Sequence, residues 1–135
     1  MLEQLDVGVG RTEQLVVDAG RVIDFLGPRG RVYSSPSMVM DMEWCCWYLL
    51  NMYLRPDESS VGVYVEWHHL TGTPLGQQVT VTATIAAVEG RQVSFTTQIH
   101  DRFGIAGHGS HKRVVVEVER HLGRLEQRFP PSTAT

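Results

Sequence analysis

Cysteine is scarce: 135 residues hold two, Cys45 and Cys46, and they are adjacent. Successive helical positions point about 100° apart, so this pair does not close a disulfide within a helix. A chain of this length can instead bury a core without cross-links, and buried reduced thiols fit a cytoplasmic protein. The opening MLEQLDVGVG lacks the basic-then-apolar order of a secretion signal. An excess of one charge is also missing. The net charge of −3 provides no broad nucleic-acid footprint, although basic residues gather toward the C-terminal end. No repeat and no linker divides the chain, so a single domain is expected over residues 1–135, with residues 121–135 as a polar, loose tail ending in PPSTAT.

What residues 36–54, PSMVMDMEWCCWYLLNMYL, lack is a polar face. A helix apolar all round is either buried or spans a membrane. About 19 residues are enough to span, but Asp41, Glu43 and Asn51 interrupt the run and no basic loop flanks it. A buried central helix follows, with Ser35 as N-cap, Pro36 in the first turn and Pro56 just past its end. Glu43, among Met42, Trp44 and Cys46, is the odd residue. A carboxylate losing water there must be paired, hydrogen-bonded or protonated. It is a structural group with a partner, or a base or nucleophile.

Residues 12–17 read as a short strand, 18–21 as a turn, and 22–26 as a short helical or extended piece before the breaker loop Gly27-Pro28-Arg29-Gly30. Beyond the polar connection at 55–60 the apolar period becomes two. Residues 61–70 form a strand. Val79, Val81, Ala83 and Ile85 alternate with threonines, Glu89-Gly90 signals a hairpin, and Val93, Phe95, Thr97 and Ile99 form the returning face. A break is expected within 103–109 and a last strand at 114–118. One long apolar helix followed by successive antiparallel strands is an α+β pattern. A curved antiparallel sheet wrapped around one long central helix is the hot-dog fold.

Three stretches, VYSSPSMVMDMEW at 32–44, VGVYVEWHH at 61–69 and GHGSHKR at 107–113, stand in order with PLGQQVTVTATIAAVEGR at 74–91 between them. Together they resemble the fluoroacetyl-CoA thioesterase family of hot-dog enzymes, over most of the chain and without large gaps. The resemblance implies an acyl-CoA thioesterase with no cofactor apart from the coenzyme A of its substrate, and a homodimer or a dimer of dimers whose sites lie at the interface. It implies a catalytic group of one hydroxyl residue, one helix glutamate and one strand histidine, here Ser35, Glu43 and His69. It also implies a glycine and an arginine near the thioester and the coenzyme, here Gly62 and Arg113. Lys112 is a second cation suited to the phosphates of coenzyme A. Serine replaces the threonine of the best-known member, which keeps the hydroxyl. The segment DFLGPRGR before Val32 is shorter than the lid region of the fluoroacetate enzyme and has Phe25 as its only aromatic. Hydrolysis of short or medium acyl-CoAs, without strong preference for the fluorinated one, is therefore expected.

Each residue also has a plainer reading. Ser35 is a cap, His69 a hydrogen-bonded strand histidine, and Lys112 and Arg113 are solvated charges. Gly62 marks a bulge or a close backbone approach. His68 faces the other side of the sheet from His69. If Ser35 caps the helix, Glu43 lies about 12 Å further along its axis, so the two do not touch within one chain. Thioester cleavage would have Glu43 attack the carbonyl or activate water, His69 move a proton with Ser35 assisting, and a backbone N–H near Gly62 or at the helix start hold the oxyanion. One rival is a non-catalytic hot-dog domain that binds an acyl-CoA or another small apolar ligand. A second is a metal protein using His68, His69, His100, His108 and His111, for which no cysteine or carboxylate completes a familiar set, so no metal is expected. A third, with a weaker resemblance, is a hot-dog dehydratase. No nucleic-acid or membrane partner is expected.

Overall fold

The computed structural model describes residues 5–132. In chain order the elements are β1 (Gly10–Val16), β2 (Val22–Ile23), β3 (Val32–Tyr33), α1 (Ser35–Asn51), β4 (Glu58–His69), β5 (Gln78–Glu89), β6 (Gln92–Asp101), β7 (Gly104–Glu117) and α2 (Val118–Arg128). The long strands form one antiparallel sheet in the order β1-β5-β6-β7-β4, and β2 pairs with β3 beside it. Helix α1 packs across this sheet, as the hot-dog expectation requires.

Period decides which side chains meet. Met38, Met42, Cys45, Cys46, Leu49 and Leu50 recur at helical spacing and are buried. They face Val79, Val81, Ala83 and Ile85 of β5, Val93, Phe95 and Ile99 of β6, and Val115 of β7, which recur every second residue along their strands. Each large aliphatic chain buried this way contributes about 1.5–3 kcal/mol.

Four expectations need correction. First, α1 is not buried all round. Met40, Trp44, Tyr48 and Met52, four residues apart, form a stripe that is 58, 48, 42 and 66 % exposed. Second, the buried carboxylate of α1 is Asp41, not Glu43. Asp41 accepts two bonds from Arg21, at 2.8 and 3.0 Å, and one from the Tyr33 hydroxyl. Arg21 also bonds Asp18, so the β2–β3 segment is clamped to the first turns of the helix. Burial first, and the carboxylate beside it second, push the Tyr33 phenol well above its usual range. Third, β7 runs unbroken through the glycines thought to interrupt it. Those glycines make room for a neighbour, since a Cβ at Gly107 would lie 2.7 Å from the Trp67 ring. Fourth, residues 121–128, expected as the first part of a loose tail, belong to α2, which begins at Val118. Val118, Leu122, Leu125 and Phe129 recur at helical spacing among the charges that made this stretch look like tail.

No described helix is long and apolar enough to cross a membrane. Strand β4 closes one edge of the sheet, where Val63, Tyr64 and Val65 are exposed.

Candidate functional site

At the start of α1 the cap is Ser34, whose hydroxyl accepts from the Ser37 N–H at 3.1 Å. Ser35 is therefore the first helical residue, and its side chain is not used as the cap. Its Oγ lies 2.7 Å from His69 Nδ1, at the end of β4. The other ring nitrogen, Nε2, is 3.0 Å from the Thr71 carbonyl, which can only accept. The proton of a neutral His69 thus sits on Nε2, and the Ser35 hydroxyl donates to Nδ1. The structure joins two of the expected residues, Ser35 and His69, into a hydroxyl–imidazole pair.

Glu43 belongs to a second cluster. Its carboxylate lies 3.5 Å from Arg113 Nη1 and 3.7 Å from His111 Nε2, with the side chain 36 % exposed. Arg113 is buried and held firmly. Its Nε donates to Ser60 Oγ and its Nη2 to the Ser60 carbonyl, both at 2.8 Å, and its Nη1 donates to His111 Nε2 at 3.0 Å. His111 Nδ1 in turn donates to the Tyr64 carbonyl at 2.7 Å. Burial, reinforced by the Arg113 cation, holds this imidazole below its ordinary pKa. Neutral His111 offers Glu43 a lone pair and no proton, so Arg113, at the outer limit of hydrogen bonding, is the one side-chain donor within reach among the described residues. The carboxylate keeps a positive neighbour but retains free lone pairs.

Gly62 permits this approach. A Cβ there would stand 2.9 Å from Glu43 Oε2 and 3.1 Å from His111 Cε1. The β4–β7 register also slips between Gly62 and Tyr64, so the expected bulge and the close approach occur together. Lys112 is placed elsewhere. Successive strand residues alternate faces, and its ammonium sits 5.2 Å from the centre of the Tyr64 ring, away from His111 and Arg113.

Met40, Glu43, Trp44, Trp47, Ser60 and Arg113 line an open cavity of about 330 Å3. Trp44 and Trp47 meet edge to face at 5.5 Å, and Trp47 Nε1 donates to Ser59 Oγ. This wall is aromatic without Phe25, which is 86 % exposed. The cysteines are not candidate nucleophiles, because burial pushes the Cys45 thiol up to about 11 and the Cys46 thiol higher still.

The sequence reading missed His111 as a partner of Glu43, and Ser60. The sequence suggests His111 only as one of five histidines that a metal would use. Its two-residue spacing from Arg113 in an extended segment was the available signal, since such residues share a face. His68 and His108 stack on each other at 5.0 Å, away from the Ser35–His69 pair. Among the described residues, no three or more His, Cys, Asp or Glu side chains converge on a possible metal position.

Comparison with known proteins agrees with this architecture. Residues 16–119 match the family model described as fluoroacetyl-CoA-specific thioesterase. The fluoroacetyl-CoA thioesterase of Streptantibioticus cattleyicolor is 33 % identical over 96 % of this chain and 99 % of its own length. A solved structure of a fluoroacetyl-CoA thioesterase superposes with a TM-score of 0.84 at 33 % identity, covering 93 % of this chain and 98 % of that one. A hot-dog-like protein from Thermanaerovibrio acidaminovorans superposes with a TM-score of 0.88 at 27 % identity, covering 96 % of this chain and 97 % of its own. The chain belongs to the fluoroacetyl-CoA-specific thioesterase family of hot-dog proteins.

Proposed function

We propose that the protein hydrolyses short or medium acyl-CoA thioesters, using Ser35, Glu43 and His69 as its catalytic group. The observation that carries this reading is the state of Glu43. It is a half-exposed carboxylate in an aromatic-walled cavity, beside a fixed arginine and with no strong hydrogen bond. Such a group can take a proton from water or attack a carbonyl carbon itself. In the first case the hydroxide adds to the carbonyl carbon and the C–S bond breaks to give the acid directly. In the second the C–S bond breaks to leave an acyl–Glu43 anhydride, which water then hydrolyses to the acid. In both, coenzyme A leaves as the thiol after taking up a proton. The Ser35–His69 pair supplies the proton path, and backbone N–H groups at the Gly62 bulge suit the developing oxyanion. A structure of a threonine-to-serine variant of the fluoroacetyl-CoA thioesterase, in complex with acetyl-CoA, is similar to this chain at 34 % identity with a TM-score of 0.85. This supports a thioester of coenzyme A as the ligand class.

Release of free thiol from fluoroacetyl-, acetyl-, butyryl- and hexanoyl-CoA tests both activity and range. Comparable kcat/KM values, with fluoroacetyl-CoA less than tenfold ahead of acetyl-CoA, are expected, because discrimination of one small group is worth only about 1–3 kcal/mol even in a close-fitting pocket. The wall of Trp44 and Trp47 leaves this cavity open. A preference of several hundredfold for fluoroacetyl-CoA would refute the open-pocket reading. No thiol release from any of them would favour a non-catalytic binding domain.

We also infer a homodimer in the cytoplasm, with each site shared between two chains. Among the described residues, no hydrogen bond or ion pair joins Glu43 to Ser35 or His69. The exposed edge of β4 and the Met40–Trp44–Tyr48–Met52 stripe offer an apolar surface that a second copy would cover. Mixing inactive Glu43→Gln and His69→Ala proteins tests this. If the groups come from different chains, half the mixed dimers' sites are intact, and the mixture regains about one quarter of wild-type activity by the statistics of random pairing. A mixture that exchanges subunits and stays inactive would rule out the shared site, and a sedimenting species of 15.2 kDa would rule out the dimer.

A further inference from the structure

A second cavity, of about 400 Å3, opens where β7 passes into α2. Arg55, Arg91, Arg120, Arg124 and His121 surround it, and Glu117 is the one carboxylate in its lining. Four arginines around one opening stand out in a chain whose net charge is −3.

Two of the arginines are fixed from below. Arg91 donates through Nη2 to Glu58 Oε2 at 2.9 Å and through Nε to the Val115 carbonyl at 3.0 Å. Arg55 lies 3.6 Å from the same carboxylate and 3.5 Å from Asp57. Glu58 is buried. The backbone N–H of Arg55, followed by the Arg91 bond, holds its pKa below the usual range, so it remains a charged anchor. The other two arginines have no such support. Arg120 and Arg124 are one helical turn apart on α2 and share a face. Among the described residues, no side-chain hydrogen bond or ion pair is made by Arg120, Arg124 or His121. Two unpaired guanidinium groups thus meet two anchored ones around one opening. Guanidinium groups bind phosphate through paired, parallel hydrogen bonds.

We propose that this basic cavity is a phosphate site that takes the phosphorylated nucleotide end of a coenzyme A thioester. The assignment of those phosphates to the substrate rests on the acyl-CoA reading above, whereas the phosphate chemistry does not. The cations first expected to hold phosphate are occupied elsewhere: Arg113 is bound to Ser60 and His111, and Lys112 lies over Tyr64. Arg113 and the start of α2 are joined by β7, whose last four residues span roughly 13 Å. Arg113 stands 3.5 Å from Glu43, and the next four residues of the same strand, Val114 to Glu117, line the basic cavity.

Arg120 and Arg124 are exposed, so R120E/R124E reverses the charge without touching the core. Two measurements decide the proposal. The first is the kinetics of butyryl-CoA against butyryl-pantetheine, which carries the same thioester without the nucleotide. The second is calorimetric titration of adenosine 3′,5′-bisphosphate into each protein. A tenfold or greater rise in KM for butyryl-CoA in R120E/R124E is expected, with kcat within twofold and the rise confined to the phosphate-bearing substrate. Bisphosphate binding should be lost in parallel. Loss of bisphosphate binding with an unchanged KM for butyryl-CoA would overturn the substrate assignment and identify a free nucleotide as the source of the phosphate. Equal bisphosphate binding by both proteins, or none by the wild type, would overturn the site itself. If the wild type hydrolyses neither thioester, the hydrolase reading has failed and the bisphosphate titration still decides the site.

Discussion

Replacing Glu43 with glutamine is expected to lower kcat by about 10^2- to 10^4-fold, the range that a positioned acid–base group supplies. Glutamine has nearly the same shape and still offers an oxygen to Arg113. It loses the negative charge and the ability to accept a proton, so neither attack on the carbonyl nor activation of water survives. The fold should persist, because the side chain is 36 % exposed and its contacts with Arg113 and His111 are long. Arg113 keeps its shorter bonds to Ser60 and His111 in the variant. Thiol release should be compared at saturating substrate, with circular dichroism as the control for folding. A well-folded E43Q protein with near-normal turnover would remove Glu43 from the reaction.

The largest effect on stability is expected at Asp41, two residues earlier in the chain. Asp41→Ala removes the acceptor of two Arg21 bonds and one Tyr33 bond in a site where the carboxylate is 8 % exposed. It leaves Arg21 without that pair and a buried tyrosine hydroxyl without a partner. Removing one member of a buried ion pair costs about 3–5 kcal/mol. Arg21 is 28 % exposed and keeps Asp18, so the low end, about 3 kcal/mol, is the better expectation. For a chain of this length that is a fall in Tm of about 10 °C. Y33F/D41A should recover part of the loss, because it no longer buries an unpaired hydroxyl. A Tm within 2 °C of wild type for Asp41→Ala would show that the clamp contributes little. The same variant bears on function, since the Ser34 N–H donates to the Arg21 carbonyl next to Ser35.

These two carboxylates mark what could be read in advance. Side-chain periodicity is local, so the sequence alone determined α1, the long alternating strands, the α+β class and the family resemblance. Gly62 was legible for the same reason, as a residue without a side chain inside a strand pattern. Glu43 stood out by type, but its degree of burial did not, because helical period cannot say which face the sheet will cover. The apolar face of α1 is wider than one sheet, so the Met40–Trp44–Tyr48–Met52 stripe remains outside.

Only the tertiary structure decided how the site's side chains pair. The hydroxyl cap moved from Ser35 to Ser34, which left Ser35 for a histidine 34 residues away. Arg113 acquired Ser60, 53 residues earlier in the chain, because β4 and β7 pair with Gly62 opposite Arg113. Asp41 found Arg21 through the β2–β3 segment, and His111 came to face Glu43 through the slip in register at the bulge. Each of these contacts depends on strand register and on the way α1 lies across the sheet. Those are set by burial summed over the whole core, and no window of a dozen residues contains that sum.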